Sequence, residues 1–438
     1  MAEASPTITL KFPAGIDNRS REYALAEGAA RQINNTDVTR DGGLRCRDGL
    51  RQVTSGNCHS LYAPSQHRFA LLAKDNQLCR LDADETTTAL TTVTGPVVYA
   101  LLNDEVFWSD GAITGRVRAD GTTGVWGLAT PAMPPYSLTS GDFTAGDYLL
   151  TMTAVQIATG LESGAGEPIS VTVPANGGIQ VTALTASGFS FAFYLTPPYG
   201  ERHELRCALV VDSGTSAVLS ASGLGRPIRS LLAIKPLPSQ ALVSFKGRLW
   251  AASGKVVWFT SELSPHWLFP HEGYYQFESD VTMLGATEDG IYVGLYDRVY
   301  YLQGSDPYQM AQRPVANVGA LQGGGAELPY DLFVGQGGLP TRSCFWWDSD
   351  GVLCVGKPGG IIARPNADRY AAGEALTSVG CYRAHNGLRQ VVSALDGNDA
   401  IAGRVQATDV EISEIFSNGV ALFYETSSDM VIVSDSIA

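Results

Sequence analysis

The segment at residues 241–307 constrains the fold most, because it contains one strand pattern twice. Its halves read ALVSFKGRLWAASGKVVWFTSE and TMLGATEDGIYVGLYDRVYYLQGSDP. In each half an apolar run leads into a two-residue turn, first at Lys246-Gly247 and then at Asp289-Gly290, and further apolar runs follow. Such pairs supply the positive φ that tight hairpins require. The pattern predicts two three-stranded antiparallel meanders, which need neighbouring sheets to cover their faces.

The same order of strand, polar turn and strand recurs elsewhere in the chain. The spacing between the turns is irregular, which favours an irregular β-propeller over an array of identical repeats. We therefore predict an all-β protein with a propeller-like body, its first part at residues 61–130 and its second at residues 226–403. The four weaker copies have their turns at Asp75-Asn76, Asn103-Asp104, Asp350-Gly351 and Asn386-Gly387.

Residues 131–225 interrupt this repeat with a different pattern. Strand-like runs alternate with turn clusters at regular intervals, beginning with TAGDYLLTMTAVQIATGLESGAGEPISVTV, and this spacing is typical of a small β-sandwich. The flanking stretches ATPAMPPYSL and SGLGRPIRS have the proline and glycine content of linkers. The region is therefore predicted to be a β-sandwich inserted into the body.

The two ends of the chain differ from the body. Residues 404–438 predict C-terminal strands around Asn418-Gly419, which either close a sheet against an early strand or extend toward a partner. Residues 1–60 predict a compact N-terminal hairpin module. Within it we expect a break at Pro13–Asn18, a short helix over Glu22–Gln32, and strands at Thr36–Thr39 and Leu44–Arg47.

Charge and composition exclude several classes of protein. The chain has 30 Lys and Arg against 44 Asp and Glu, a net charge of −14, which disfavours a groove that grips nucleic-acid phosphates. Repulsion between an acidic surface and DNA phosphates would suit a channel through which DNA must slide. The start MAEASPTITLKF lacks the features of a signal peptide, and no run approaches eighteen apolar residues, so we expect a soluble protein made in the cytosol. The seven cysteines are scattered, which favours reduced packing residues over a disulfide or zinc framework.

One sequence resembles a catalytic loop. Asp212-Ser213-Gly214-Thr215-Ser216 matches the active-site loop of aspartic proteases, but that chemistry needs two such loops and the chain has one. At the end of a sandwich strand the same residues are ordinary turn formers, and we predict a turn. His266 and His271 flank aromatic residues in SPHWLFPHEGYY, which we predict to be an aromatic loop that plugs a sheet or contacts a subunit.

Glycine-rich stretches and an aspartate-box lookalike also have simpler explanations. DGGLRCRDG and LQGGGAELPY lack the order of a phosphate-binding loop and a following helix, so they are predicted to be turns. WWDSDGVL, at residues 346–353, resembles the aspartate boxes of propeller glycosidases but lacks the final aromatic residue, which predicts a hairpin. We therefore expect no catalytic, cofactor-binding or metal-ligating residues, and a protein whose work is assembly rather than catalysis.

Several short sequences of the chain are similar to those of a known class of protein. They are GIDN, the stretch leading to NNTDV, and DGGLRCRDGL near the N-terminus, and later SFKGRLWAASGKVVWFTSELSPHWLF and YDRVYYLQGSDP. With these sequences the chain resembles virion proteins of short-tailed bacteriophages. In the insertion, GDYLLTMTAV and GLESGAGEPISVTV resemble a fibronectin type III or immunoglobulin-like module. The family resembled is that of tail nozzle proteins, also described as tail tube or packaged-DNA stabilisation proteins.

This resemblance implies a structural role in the virion tail, after assembly in the host cytoplasm. Copies, commonly six, would form a ring below the portal and adaptor, contact other tail proteins such as fibres or a needle, and enclose the DNA exit channel without binding DNA specifically or entering a membrane. We consider residues His266–Tyr275 and Gly319–Tyr330 as candidate constrictions or contacts. Two alternatives are a propeller-based hydrolase or lectin acting on cell-surface glycans, which would need paired carboxylates at the axis, and a repeat scaffold that binds cellular proteins.

Overall fold

The structure is a computed structural model that describes residues 15–31, 36–38, 44–46, 53–64, 66–219, 225–323, 325–330, 340–365, 367–372, 375–385 and 388–396. Within these residues the protein is all-β, with a propeller-like body and an inserted immunoglobulin-like sandwich, as the sequence predicts. None of the helices in the described ranges has the length and apolar character that crossing a membrane requires. The predicted C-terminal strands at residues 404–438 lie outside the described residues.

The N-terminal module contains short strands and one 3-10 turn. The predicted helix over Glu22–Gln32 is wrong, because only Glu22–Ala24 is helical and Gly28 turns the chain with φ 78° before the next strand. Arg21 at the helix N-terminus provides no side-chain cap, so nothing local extends the turn. The predicted hairpin strands are confirmed to within one residue. The module comprises β1 (Gly15–Ile16) parallel to β2 (Ala29–Ala30), and β3 (Thr36–Val38) antiparallel to β4 (Leu44–Cys46).

Two four-stranded antiparallel meanders begin the body. Each sheet contains a two-residue hairpin turn with left-handed backbone angles, Asp75-Asn76 in the first sheet and Asn103-Asp104 in the second, as predicted. Sheet one contains β5 (Cys58–Tyr62), β6 (Phe69–Lys74), β7 (Gln77–Asp82) and β8 (Thr87–Thr92). Sheet two contains β9 (Val98–Leu102), β10 (Glu105–Ser109), β11 (Thr114–Arg118) and β12 (Thr123–Gly124).

The sandwich follows sheet two in the chain. Its two sheets have the orders β13-β16-β19 and β15-β14-β17-β18, and their apolar faces meet around Phe143, Tyr148, Phe191 and Phe193. A 3-10 turn at Arg202–Glu204 precedes β18. The strands are β13 (Tyr136–Phe143), β14 (Gly146–Gln156), β15 (Ile169–Val173), β16 (Gly177–Thr182), β17 (Phe189–Leu195), β18 (Arg206–Asp212) and β19 (Ser216–Leu219).

Three further meanders and a hairpin complete the described body. Sheet three contains β20 (Ala241–Phe245), β21 (Arg248–Ser253), β22 (Val256–Ser261), β23 (Ser264–Leu268) and β24 (Tyr274–Gln276). Sheet four contains β25 (Val281–Ala286), β26 (Gly290–Leu295), β27 (Val299–Gln303) and β28 (Ala311–Ala316). Sheet five contains β29 (Ala326–Leu328), β30 (Ser343–Trp347), β31 (Leu353–Lys357), the 3-10 turn Pro358–Gly360 and β32 (Ile361–Ala363). β33 (Thr377–His385) and β34 (Leu388–Asp396) form the final hairpin.

The body sheets stack face to face in chain order, and each pair of neighbours shares an apolar layer. This arrangement buries both faces of a meander, which a single sheet cannot do alone. Each layer joins consecutive sheets, and the last one joins sheet five to the final hairpin. From first to last, the layers contain Leu71 and Trp108, Phe107 and Leu249, Trp250 and Val293, Tyr292 and Trp346, and Trp347 and Val391.

The two turns of the opening pattern occupy equivalent places in adjacent sheets. Lys246-Gly247 is a two-residue turn with φ 46° and 72°, as predicted. The turn predicted at Asp289-Gly290 is wrong by one residue, because Thr287 N donates to Gly290 O and Glu288-Asp289 lies at its centre. Lys246 Nζ lies 3.3 Å from Glu288 Oε1, so the two turns are neighbours. A propeller-like body requires corresponding turns to occupy equivalent positions in adjacent sheets, and these two turns do.

The six predicted copies are not equivalent throughout. The turns at Asp75-Asn76 and Asp350-Gly351 join the second and third strands of their sheets, whereas Asn103-Asp104 and Lys246-Gly247 join the first and second. Sequence pattern cannot separate these cases, because both are a polar turn between apolar strands. Asn386-Gly387 lies outside the described residues.

Candidate assembly interface

The sandwich is held against the body by a backbone junction. Ala165 N donates to Ser230 O at 2.8 Å, and Leu232 N donates to Ala165 O at 2.8 Å. A Cβ on Gly164 would lie only 1.7 Å from Ala233 O, so this approach requires glycine. The linker then pairs with sheet three, where Ile234 and Leu268 exchange both backbone hydrogen bonds at 2.8 and 3.0 Å.

Glu162 is the polar centre of this junction and is 7% exposed. Its Oε1 accepts hydrogen bonds from the hydroxyls of Thr153 and Tyr194, both at 2.7 Å. Its Oε2 accepts from Arg226 Nη2 at 2.8 Å, and its backbone oxygen accepts from Trp267 Nε1 of β23 at 2.8 Å. Burial, followed by the hydrogen bond to Glu162, raises the pKa of Tyr194. The Glu162 carboxylate therefore connects two strands of the sandwich to the linker, and the backbone oxygen of the same residue connects it to the body.

The predicted aromatic loop at His266 is wrong, because Ser264–Leu268 forms β23 and pairs with β22. His266 is partly buried, and burial, followed by the charge of Arg116, lowers its pKa to about 4. His271 instead lies at the surface beside Glu272, at 3.5 Å. The two histidines therefore have different surroundings, and the junction uses the strand that carries His266.

The sandwich has one open flank, formed by the edge strand β13. Tyr136 pairs directly with Val181, and Leu138 with Ile179, so all four side chains project toward the core side of their sheet. Val181 and Ile179 are fully buried, but Tyr136 is 41% and Leu138 50% exposed. The four-stranded sheet ends at β15 and leaves these two side chains uncovered.

The opposite flank of the sandwich is closed. Leu219 of β19 pairs with Ile179 from the other side, and it is buried, as is Val211 of β18. The order β18-β17-β14-β15 matches the G-F-C-C′ sheet of an immunoglobulin variable domain, which places β13 and β16 at the B and E positions. Among the described residues no strand occupies the A position beside β13. At the open flank, the three-stranded sheet therefore ends in the unpaired edge of β13.

The free edge of β13 contains a β-bulge between Ser140 and Phe143 but has no other common protection against pairing. Proteins protect edges with short strands, proline or lysine. In the body, β12 and β32 are short, and β28 contains Arg313 and Pro314. β13 has eight residues, YSLTSGDF, with neither proline nor a basic residue, and its register is regular from Tyr136 to Ser140. Among the edge strands of the sandwich β13 is the longest, and its core-side residues Tyr136 and Leu138 are exposed, so it is suited to accept another strand.

The protease lookalike is a turn, as predicted. Asp212 ends β18, Gly214 has φ 71°, and Thr215 N donates to Asp212 O at 3.1 Å. Ser213 Oγ accepts from Ala186 N at 2.7 Å, which fixes the hydroxyl to the neighbouring loop.

The aspartate-box lookalike is a hairpin, as predicted, and its carboxylate is structural. Asp348 is buried, accepts hydrogen bonds from the backbone N of Asp350 and Val352, and pairs with the Arg364 guanidinium. These partners saturate the oxygens that a catalytic acid would need to expose.

A structural anion site was missed by the sequence analysis. Gly359 and Gly360 have φ 79° and 75°, and Gly359 N donates to both oxygens of Asp289, at 3.1 and 3.0 Å. Tyr301 also donates to this carboxylate. The sequence signal is the Pro358-Gly359-Gly360 turn, whose backbone N–H binds a carboxylate of sheet four.

The remaining candidates do not converge on one centre. No group of three or more His, Cys, Asp or Glu in the described ranges has the geometry to hold a metal ion. Six cysteines of the described residues are thiols and none of these is in a disulfide: Cys58, Cys79, Cys207, Cys344, Cys354 and Cys381. The Gly319–Tyr330 segment is not a plain loop, since Ala320 bridges Asp348 and residues 326–328 form β29.

No family model and no curated protein matches the chain. Among solved structures, the chain is similar to BBS1N, which was crystallised in complex with ARL6DN and soaked with mercury. The two are 10% identical over 77% of this chain and 86% of BBS1N, with a TM-score of 0.31. A similarity at this level carries no argument about function, and the assignment of the fold rests on the stacked sheets described above.

Proposed function

We propose that the protein is a structural component of a short-tailed bacteriophage virion, a tail nozzle whose copies form a ring around the DNA exit channel. The observation that carries this proposal is the open flank at β13 on a sandwich fixed to the body. Because the junction at Glu162 sets the orientation of the flank, every copy presents this edge in the same direction. The resemblance of sequences such as GIDN and NNTDV to those of nozzle proteins supports this class of assembly.

A contact between two different surfaces of identical copies generates a ring when its rotation closes, and a filament when it does not. An edge strand that pairs with another part of the next copy is such a contact. A ring of six below the portal and adaptor, with fibres or a needle attached, is the arrangement we propose. Rigid docking of the sandwich favours closure, because it allows little variation in the angle between copies.

The DNA path would run between copies rather than through one body. The first strands of sheets three and four, β20 and β25, contact each other, and β25 is buried at all six positions. β26 is likewise buried at all six. Such packing leaves no room for a duplex between these sheets, so the lumen would be lined by outer surfaces. The net charge of −14 favours sliding over binding there.

Electron microscopy and mass measurement of the purified protein test the proposal. We expect closed rings, alone or when mixed with the adaptor of the same virion, and density for the protein in the tail below the portal. A monodisperse monomer that is absent from virions would overturn the nozzle function. Cleavage of a cell-surface glycan by the purified protein would instead support the hydrolase alternative.

A further inference from the structure

The place beside β13 has a defined shape. A strand that pairs with β13 would continue the sheet. Alternate side chains of this strand would lie on the core side beside Tyr136 and Leu138, and the others would lie on the solvent side beside Ser137 and Thr139. The occupant must therefore alternate apolar and polar residues over the regular part of β13, from Tyr136 to Ser140. A strand that is apolar on both faces would expose half of its side chains to water.

The longest segment with this pattern outside the described residues lies near the N-terminus. Residues 7–12 read TITLKF, in which Ile8, Leu10 and Phe12 alternate with polar residues. Pro6 and Pro13 bound the segment and limit it to the length of a short strand. In the C-terminal part, VALFY and MVIV are apolar at successive positions, and VEIS at residues 410–413 alternates but has two apolar residues instead of three, so these runs fit the open flank less well.

The attachment of the segment to sheet five favours β13 of a neighbouring copy over β13 of its own chain. Phe12 is three residues before Gly15, a span of about 11 Å at most. Gly15 and Ile16 form β1, and Ile16 packs with Phe345 and Trp347 on the face of sheet five that points away from sheet four. The sandwich is docked on sheet three, and sheet four lies between sheets three and five, so two steps of about 10 Å each separate the sheet that holds β1 from the sheet that holds the sandwich. A neighbouring copy has no such restriction.

We infer that the N-terminal segment Ile8–Phe12 of one copy adds as a strand to the free edge of β13 in the next copy. Ile8, Leu10 and Phe12 then cover Tyr136 and Leu138, and backbone hydrogen bonds join the two edges. The contact is between different surfaces of two copies, so it propagates around a ring. This inference rests on the proposed ring and names the surfaces that build it.

Disulfide trapping between two separately prepared proteins tests the contact. One protein carries Leu10→Cys and the other Leu138→Cys, and they are mixed, oxidised and compared with each protein alone. We expect a cross-linked species of twice the chain mass in the mixture, with equivalent scans at Ile8 and Phe12 to allow for register. Thr9→Cys and Lys11→Cys are the matched controls, because they point to the other side of the strand, and their yield should be roughly tenfold lower.

Deletion of residues 2–12 provides a second readout. We expect the deleted protein to lose ring formation and to keep the unfolding midpoint that the full chain has at concentrations below assembly. Rings that persist after the deletion would overturn the inference and leave the nozzle function standing. The same conclusion would follow if the full-length chain forms rings but no position from Ile8 to Phe12 cross-links to Leu138→Cys. Dimers that the Leu138→Cys protein forms alone and the native chain does not form would show that β13 pairs with a second β13, which also overturns it. A full-length chain that forms neither cross-links nor rings would overturn both proposals, whereas cross-links without closed rings would support the strand contact and contradict the nozzle.

Discussion

β26 in the body and β13 in the sandwich are strands with opposite degrees of burial. β26 is buried at all six positions between sheets three and five, whereas seven of the eight residues of β13 are exposed or partly exposed. Substitutions in β26 should therefore change the free energy of unfolding, and any change in assembly should result from the lost stability. Substitutions in β13 should change assembly while the chain remains folded. The comparison separates what holds one copy together from what joins copies.

The burial of β26 depends on glycines that admit large side chains. A Cβ on Gly356 would lie 2.5 Å from the Tyr292 ring, and one on Gly285 would lie 2.6 Å from Cys344 Sγ. Tyr292 fills this space, with its ring 4.6 Å from that of Tyr301 and 5.1 Å from that of Trp346. The Gly–aromatic pattern of sheets four and five is thus a packing device between sheets.

The largest effect is expected for Tyr292→Ala. The side chain is fully buried and its hydroxyl lies within hydrogen-bonding distance of Lys357 O, at 2.7 Å, and of Ile361 O, at 2.9 Å, so truncation leaves a cavity between sheets four and five. We expect unfolding in urea to show a loss of about 3–5 kcal/mol. Tyr292→Phe keeps the ring and should lose about 1–2 kcal/mol. Equal losses for the two variants would show that the layer is held by the hydroxyl rather than by packing.

A smaller loss is expected at the junction that orients β13. Glu162→Ala removes the acceptor of the buried Thr153 and Tyr194 hydroxyls and the partner of Arg226, which should cost about 2–4 kcal/mol by calorimetry. Glu162→Gln retains a side-chain oxygen and should lose less. If the alanine variant unfolds like the native chain, the sandwich is not fixed through this carboxylate, and the directional argument for assembly fails.

The sequence predicted local features well and long-range ones poorly. Turns such as Asn103-Asp104 and Lys246-Gly247 follow from residue preference for positive φ, and the sandwich follows from strand spacing. β23 was predicted to be a loop because Pro265 and Pro270 punctuate it, yet pairing of Leu268 with Ile234 makes it part of a sheet. The open flank could not be predicted, since the exposure of Leu138 depends on where the other sheet ends.

Acidification should weaken the junction through His266. Its pKa is about 4 in the folded protein and about 6.5 when unfolded, so the unfolded chain binds the proton first as pH falls. Stability is therefore lost between about pH 6.5 and 4, by about 2 kcal/mol after allowance for partial exposure. His266→Gln should lose that much less between pH 7 and pH 4 in urea titrations. His271→Gln, at the exposed position, should behave like the native chain, and an identical acid loss in both variants would remove His266 as the cause.

The smallest effect on stability is expected for Leu138→Ala, and it tests the comparison most directly. Leu138 and Ile179 are direct partners on adjacent strands, yet the first is 50% exposed and the second fully buried. Leu138→Ala should change the free energy of unfolding by less than about 0.5 kcal/mol, whereas Ile179→Ala should lose about 2–4 kcal/mol. The measurement is made on dissociated protein, at concentrations below assembly, because an added strand would cover Leu138. If both variants lose the same amount there, a single chain already covers the flank, and β13 has no free edge to offer a neighbour.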